Sequence, residues 1–85
     1  MKTNFRAAVI TKVIAVGDVM MQVPLNTRYI AIDRMGYVWA WKWKPTYNEL
    51  FDEYQCAGPY MPTLVGVYED GPCRTPQLIE LPACA

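Results

Sequence analysis

The chain has 85 residues and a formal net charge of zero, and 53% of its residues are hydrophobic. This composition is typical of a globular protein and excludes a disordered one. A chain of this length forms one domain, residues 1–85, with a small core. No apolar run approaches the roughly 18 residues that a membrane-spanning helix needs, and the N-terminus lacks the features of a signal peptide. We therefore expect a cytoplasmic location.

The N-terminal part of the chain predicts a pair of strands. Residues 5–16 are dense in valine, isoleucine and threonine, and β-branched residues favour strands. A helix is the alternative here, because Asn4 could cap its start and Gly17 could end it. Residues 17–18 are typical of a two-residue hairpin loop, which leads into a second strand over residues 19–23.

The central stretch, residues 27–44, contains all three tryptophans and predicts a β-hairpin. Its turn begins at Asp33 and ends at Gly36, a pattern that favours a type I turn followed by a left-handed residue. The turn sets the register of the two strands. The predicted cross-strand pairs are Asp33 with Tyr37, Ala31 with Trp39, Tyr29 with Trp41, and Thr27 with Trp43.

Both faces of this predicted hairpin are apolar. Because side chains alternate along a strand, one face collects five aromatic residues. These are Tyr29, Tyr37, Trp39, Trp41 and Trp43. The other face carries Ile30, Ile32, Val38 and Ala40. A small domain has limited means to cover both faces, so we expect another chain, either a copy or a target, to cover one of them. The alternative is that the aromatic face is ordinary core.

Basic side chains accompany the aromatic residues. They are Arg28, Arg34, Lys42 and Lys44. Together with the five aromatic residues they are the predicted partner-binding residues, because aromatic rings and arginine dominate protein interfaces. The same set suits two other ligands. Rings beside basic groups bind single-stranded nucleic acid, and an oligomer could trap an anionic nucleotide between the rings and Arg28 or Lys42.

Charge is divided unevenly along the chain. Residues 1–44 carry seven basic and two acidic groups, whereas residues 45–85 carry one basic and six acidic groups. The two halves either neutralise each other within one fold or form a two-sided surface that steers partners.

The C-terminal part predicts a change of structure after Lys44, because Pro45 cannot donate to a strand ladder. Residues 46–54 place apolar side chains at helical spacing, which predicts a short amphipathic helix; an irregular acidic loop is the alternative. Strands are predicted over residues 64–68 and 77–81. The whole chain therefore predicts a mainly β fold, a small antiparallel sheet or partly open barrel of five or six strands, with or without one short helix.

Nothing in the chain predicts catalysis. Serine and histidine are both absent, which removes the common nucleophile–base pairs, and there is no phosphate-binding glycine loop. We therefore expect no enzyme, no cofactor and no metal site. Cys56, Cys73 and Cys84 are odd in number and lack metal-binding spacing, so free thiols are expected, with a Cys56–Cys73 disulfide as the alternative.

The hairpin carries a family resemblance. Its Tyr-Ile-Ala-x-Asp-x-x-Gly-x-Val-x-Ala core, the Lys-Pro exit and the later Val65-Gly66 pair resemble small accessory proteins of tailed bacteriophages. The resemblance spans roughly residues 26–68 and implies a compact, non-enzymatic protein of the host cytoplasm that binds and blocks a host enzyme or a defence component. It implies no particular functional residues. A sponge for a nucleotide signal and a single-strand-binding protein are the alternatives.

Overall fold

A computed structural model describes residues 10–58, 60–69 and 75–82 of the chain. Within these ranges the protein is all-β, with eight strands in three antiparallel sheets, no helix and no closed barrel. The strands are β1 (Thr11–Val16), β2 (Val19–Pro24), β3 (Tyr29–Ile32), β4 (Tyr37–Trp41), β5 (Thr46–Asn48), β6 (Glu53–Gln55), β7 (Thr63–Val67) and β8 (Gln77–Glu80). The predicted antiparallel β fold is confirmed, with eight strands instead of five or six. No helix long and apolar enough to cross a membrane occurs in the described ranges.

The first two strands form the predicted hairpin. Strand β1 pairs with β2 around a tight turn at Gly17, whose φ of 60° is left-handed. The strand interpretation is therefore confirmed over residues 11–16. Ile10 is described but precedes the strand, and residues 5–9 of the predicted strand lie outside the described residues. The Lys12 ammonium donates a hydrogen bond to the carbonyl oxygen of Thr27, 3.1 Å away, which ties this hairpin to the start of the central one.

The central hairpin, β3–β4, forms the middle of a four-stranded sheet with the order β7-β4-β3-β8. Its observed pairs include Tyr29 with Trp41 and Ala31 with Trp39, so the predicted register is confirmed. The outer strands contain the two predicted C-terminal strands. A bulge where β4 pairs with β7 leaves Val65 without a partner in the ladder, and its side chain packs against the core.

The core lies on the aliphatic face of this sheet. It is built from side chains of the central hairpin, the β1–β2 hairpin and the residue after β8. Its buried members are Met21, Val23, Ile30, Ile32, Val38, Ala40 and Leu81. Burial of aliphatic surface is the main driving force of folding, which explains why the β1–β2 hairpin packs against this face. One of the two apolar faces is therefore closed by the chain itself.

The central hairpin is shorter than predicted, because β4 ends at Trp41 and not at Lys44. The expected pairing of Thr27 with Trp43 does not form. The amide of Thr27 is used in a turn instead, where it donates to the carbonyl of Pro24 at 3.0 Å. The amide of Arg28 donates to Trp41 at 2.9 Å, and the chain bends immediately afterwards.

The segment after Pro45 differs most from the prediction, since it is neither a helix nor an irregular loop. Strands β5 and β6 form a third hairpin, in which Tyr47 lies opposite Tyr54. The side-chain oxygen of Asn48 accepts hydrogen bonds from the next turn, including one from the Leu50 amide at 2.9 Å. Asp52 has a φ of 53°, a left-handed conformation that aspartate tolerates better than most residues. These turn residues override the helical spacing of the apolar side chains.

Candidate functional site

Asp33 organises the turn at one end of the central hairpin. Its Oδ1 atom accepts hydrogen bonds from the amides of Met35 and Tyr37, each at 3.0 Å. Its Oδ2 atom accepts one from the indole N–H of Trp39 at 3.2 Å. Asp33 is largely buried, and these three hydrogen bonds fix the position of its carboxylate on the aromatic face.

The five predicted aromatic residues lie in three different environments. Trp41 is only 4% exposed and belongs to the interior. Tyr29 and Trp39 are half-buried. Tyr37 and Trp43 are exposed, at 43% and 46%. The aromatic face is therefore partly core and partly surface. Of its two exposed members, Tyr37 begins β4 and Trp43 lies two residues beyond its end.

An open cavity of about 530 Å³ lies on the aromatic face. Its walls come from the central hairpin, strand β6 and the segment that follows β6. They are Asp33, Trp39, Trp41, Glu53, Tyr54, Gln55, Cys56, Tyr60, Met61 and Pro62. The third hairpin thus covers part of the aromatic face. The sequence pattern predicted that another chain would cover one of the two faces.

The cavity walls are aromatic and acidic. Four of the wall residues are aromatic, and two, Asp33 and Glu53, are acidic. No basic side chain is among the described wall residues. The pKa of the Tyr54 phenol is raised mainly by burial, and the nearby Tyr47 and Asp33 raise it further. The cavity therefore disfavours negative charge.

Trp41 contributes an unsatisfied donor to this region. Its indole Nε1 atom is buried and has no hydrogen-bond acceptor among the described residues. A buried donor without a partner costs about 1–3 kcal/mol, so packing and not hydrogen bonding holds this side chain. Trp39 differs from it, because its N–H is satisfied by Asp33.

The tip of the third hairpin lies beside the turn of the central hairpin. Arg34 forms a salt bridge with Asp52, with Nε and Oδ1 3.4 Å apart, and the Tyr47 hydroxyl donates to the same carboxylate at 2.8 Å. Both ion-pair partners are about half exposed, so the pair adds little stability. It does show that the basic and acidic halves meet within one fold, which was one of the two predicted arrangements.

The other end of the central hairpin carries the remaining predicted basic residues. Arg28, Lys42 and Lys44 are all exposed there. The Lys42 ammonium lies 5.5 Å from the centre of the Trp43 ring, and the Tyr60 ring contacts the same tryptophan at a centroid distance of 5.2 Å. Arg34 lies at the opposite end of the hairpin, so the structure does not bring all four basic residues together.

Large apolar side chains project into solvent in the cavity wall and in the turn of the third hairpin. Leu50 and Phe51 at the hairpin tip are 84% and 64% exposed, and Met61 at the cavity wall is 88% exposed. Sequence reasoning missed these residues, because it placed Leu50 and Phe51 on the apolar side of a helix. Asn48 and Asp52, which are typical turn residues, were the signal for a hairpin.

Cys56 lies in the cavity wall and is a half-buried free cysteine. Cys73 and Cys84 lie outside the described residues. Residues 70–74, between the two predicted C-terminal strands, also lie outside them.

The fold and this site define a small antiparallel β domain with an aromatic, acidic cavity and an exposed apolar rim. Comparison with protein-family models, curated proteins and solved structures finds no match to the chain. The chain's own residues and the motif in its central hairpin are therefore the basis for assigning a function.

Proposed function

We propose that this protein is a small, non-enzymatic binding protein that inhibits a host or defence protein by direct contact. The resemblance of its central hairpin to accessory proteins of tailed bacteriophages supports a phage origin. The site supports a protein partner, because large apolar side chains are exposed in the cavity wall and on the hairpin that contributes to this wall.

The exposed apolar rim is the observation that carries the proposal. It consists of Tyr60 and Met61 in the cavity wall and of Leu50 and Phe51 in the turn of the third hairpin, whose strand β6 lines the same cavity. Apolar side chains on the surface of a monomer are common when scattered, but a cluster of them marks an interaction site. The aromatic residues Trp43 and Tyr37 extend the apolar surface along the central hairpin.

The proposal is tested with the purified chain as bait against a lysate of the candidate host bacterium, followed by reconstitution with the purified captured protein. We expect one protein to be captured in stoichiometric amounts and its activity to fall when the chain is added. The double variant Leu50→Asn, Phe51→Asn should lose at least tenfold in affinity, because truncated interface anchors weaken binding by about 2 kcal/mol or more.

Met20→Asn is the matched control. Met20 is as exposed as Phe51, but it lies on the β1–β2 hairpin, away from the cavity. This variant should bind with wild-type affinity. Capture that survives the loss of Leu50 and Phe51, or a captured protein whose activity is unchanged by the chain, would overturn the proposal.

A phosphate-bearing ligand is the second candidate, either a nucleotide signal or single-stranded nucleic acid. The exposed Trp43, which lies between Lys42 and Lys44, favours it. The Trp43 ring already contacts Lys42 and Tyr60, however, which leaves less of its surface free to stack on a base. Binding of an oligonucleotide that weakens steeply with salt, or a thermal shift with cyclic nucleotides, would favour this candidate over a protein partner.

A further inference from the structure

We propose that the cavity between the central hairpin and strand β6 binds an organic cation, the guanidinium or ammonium head of a basic side chain. The inference rests on the proposed function, because the cation we expect is a side chain of the bound protein. It adds the chemistry of the anchor to the apolar contact proposed above.

The walls of the cavity have the composition that such a cation requires. Four aromatic residues belong to the walls, and three of them, Trp39, Tyr54 and Tyr60, are half-buried or exposed. A ring attracts a cation over its face through its quadrupole, and the attraction grows when the site is shielded from water. The volume of about 530 Å³ is within the range of small-molecule sites and larger than one guanidinium group needs.

The charges of the walls select a cation over an anion. Two backbone amides and the Trp39 indole donate hydrogen bonds to the Asp33 carboxylate, so its position is fixed. Glu53 is the second acidic residue among the wall residues, and its carboxylate accepts a hydrogen bond from the side-chain amide of Gln55 at 3.0 Å. The exposed Arg28, Lys42 and Lys44 are not among the described wall residues, so no described wall residue carries a positive charge that would attract a phosphate.

A peptide suits this cavity better than a bare cation. Tyr60 and Met61 belong to the cavity wall and are exposed, and a bare cation would leave these apolar side chains uncovered. The apolar rim beside the cavity would contact the neighbouring side chains of that peptide.

The first test measures binding of N-acetyl-arginine amide to the wild-type chain by two-dimensional NMR. N-acetyl-citrulline amide is the matched probe, because it replaces the guanidinium with a neutral group of nearly the same shape. We expect saturable shifts of the Trp39 indole and Tyr54 resonances with arginine, and at least fivefold weaker binding with citrulline. No saturable shift, or equal binding of both probes, would overturn the inference.

The second test compares two glutamate variants of the same hairpin. Glu53→Gln should weaken binding of the arginine probe about threefold, since it removes a partly exposed charge from the wall. Glu49→Gln removes an equal charge from the exposed turn outside this cavity and should leave binding unchanged. An equal effect of both variants would mean that the net charge of the chain, and not the cavity, attracts the probe.

The third test separates the two sources of the cation. The arginine probe is added to the complex with the captured protein, and release of that protein assigns the cavity to one of its basic side chains. Binding of the probe to the intact complex would instead assign the cavity to a free small cation and overturn our assignment, while the proposed inhibition would stand. Binding of the arginine probe is measured on the isolated chain, whereas the double variant Leu50→Asn, Phe51→Asn is tested for binding of the captured protein. The two proposals can therefore fail separately.

Discussion

The indole N–H of Trp39 donates a hydrogen bond to the Oδ2 atom of Asp33 at 3.2 Å, although six positions separate these residues in the chain. Asp33 therefore has two functions in the structure. Its Oδ1 atom closes the turn of the central hairpin, and its Oδ2 atom orients a ring in the wall of the cavity. The turn and the candidate site depend on one carboxylate.

The variant Asp33→Asn should separate these two functions. Its amide oxygen can still accept from the amides of Met35 and Tyr37, but its amino group then meets the Trp39 N–H, and two donors cannot bond. We expect a loss of about 1–3 kcal/mol in the free energy of unfolding, measured by urea denaturation. Asp18→Asn in the exposed turn of the β1–β2 hairpin is the control. Equal unfolding midpoints for wild type and Asp33→Asn would contradict the role given to this carboxylate.

Gly36→Ala should destabilise the protein more than Gly17→Ala. Both glycines have a left-handed φ, 91° and 60°, so each alanine brings backbone strain of about 1–2 kcal/mol. A Cβ atom at Gly36 would also lie 2.6 Å from the carbonyl oxygen of Tyr68, whereas one at Gly17 would meet nothing within 4 Å. We expect the Gly36 variant to lose at least about 1 kcal/mol more. Comparable midpoints in urea would show that the Tyr68 contact is absent in solution.

Trp41→Ala should unfold the protein or nearly so. The side chain is almost fully buried, and truncation of such a residue costs about 3–5 kcal/mol, a large part of the stability of a small domain. Trp41→Phe should cost less than half as much, because it also removes the indole N–H that lacks an acceptor among the described residues.

Trp43→Ala is the matched control for these two variants, since Trp43 is 46% exposed and contacts Tyr60 and Lys42. It should cost less than about 1.5 kcal/mol. Circular dichroism and urea denaturation measure all three variants. A folded Trp41→Ala protein of nearly wild-type stability would show that this ring is not part of the core.

The stability of the protein should fall as the pH rises above about 10. Burial and the neighbouring Tyr47 and Asp33 raise the pKa of the Tyr54 phenol above its usual 10.0. The folded state therefore holds the Tyr54 proton more tightly than the unfolded state. The contribution of this group to the free energy of unfolding is fully present below pH 10 and is lost as the pH rises through the folded pKa. Tyr54→Phe should flatten the dependence of the urea midpoint on pH between about 9 and 11. An unchanged slope in this variant would contradict the prediction.

The sequence by itself determined the local features whose signals lie within a few residues. The Asp33–Gly36 turn set the register of the central hairpin, because a turn of defined geometry leaves one way to pair the flanking strands. The Gly17 turn did the same for the β1–β2 hairpin. Alternation of side chains along these strands then separated an aliphatic face from an aromatic one.

Tertiary structure decided which face would be buried and by what. Periodicity describes one strand pair and carries no information about distant segments. It could not show that Met21 and Val23 pack in one core with Ile30 and Val38, or that residues 53–56 and 60–62 line a cavity together with Trp41. The helical spacing over residues 46–54 predicted a helix that does not form, for a related reason. A short segment has too few residues to stabilise a helix by itself, and the turn residues Asn48 and Asp52 favoured a hairpin that packs on the aromatic face. The cavity exists only because these distant segments meet, which is why no local pattern predicted it.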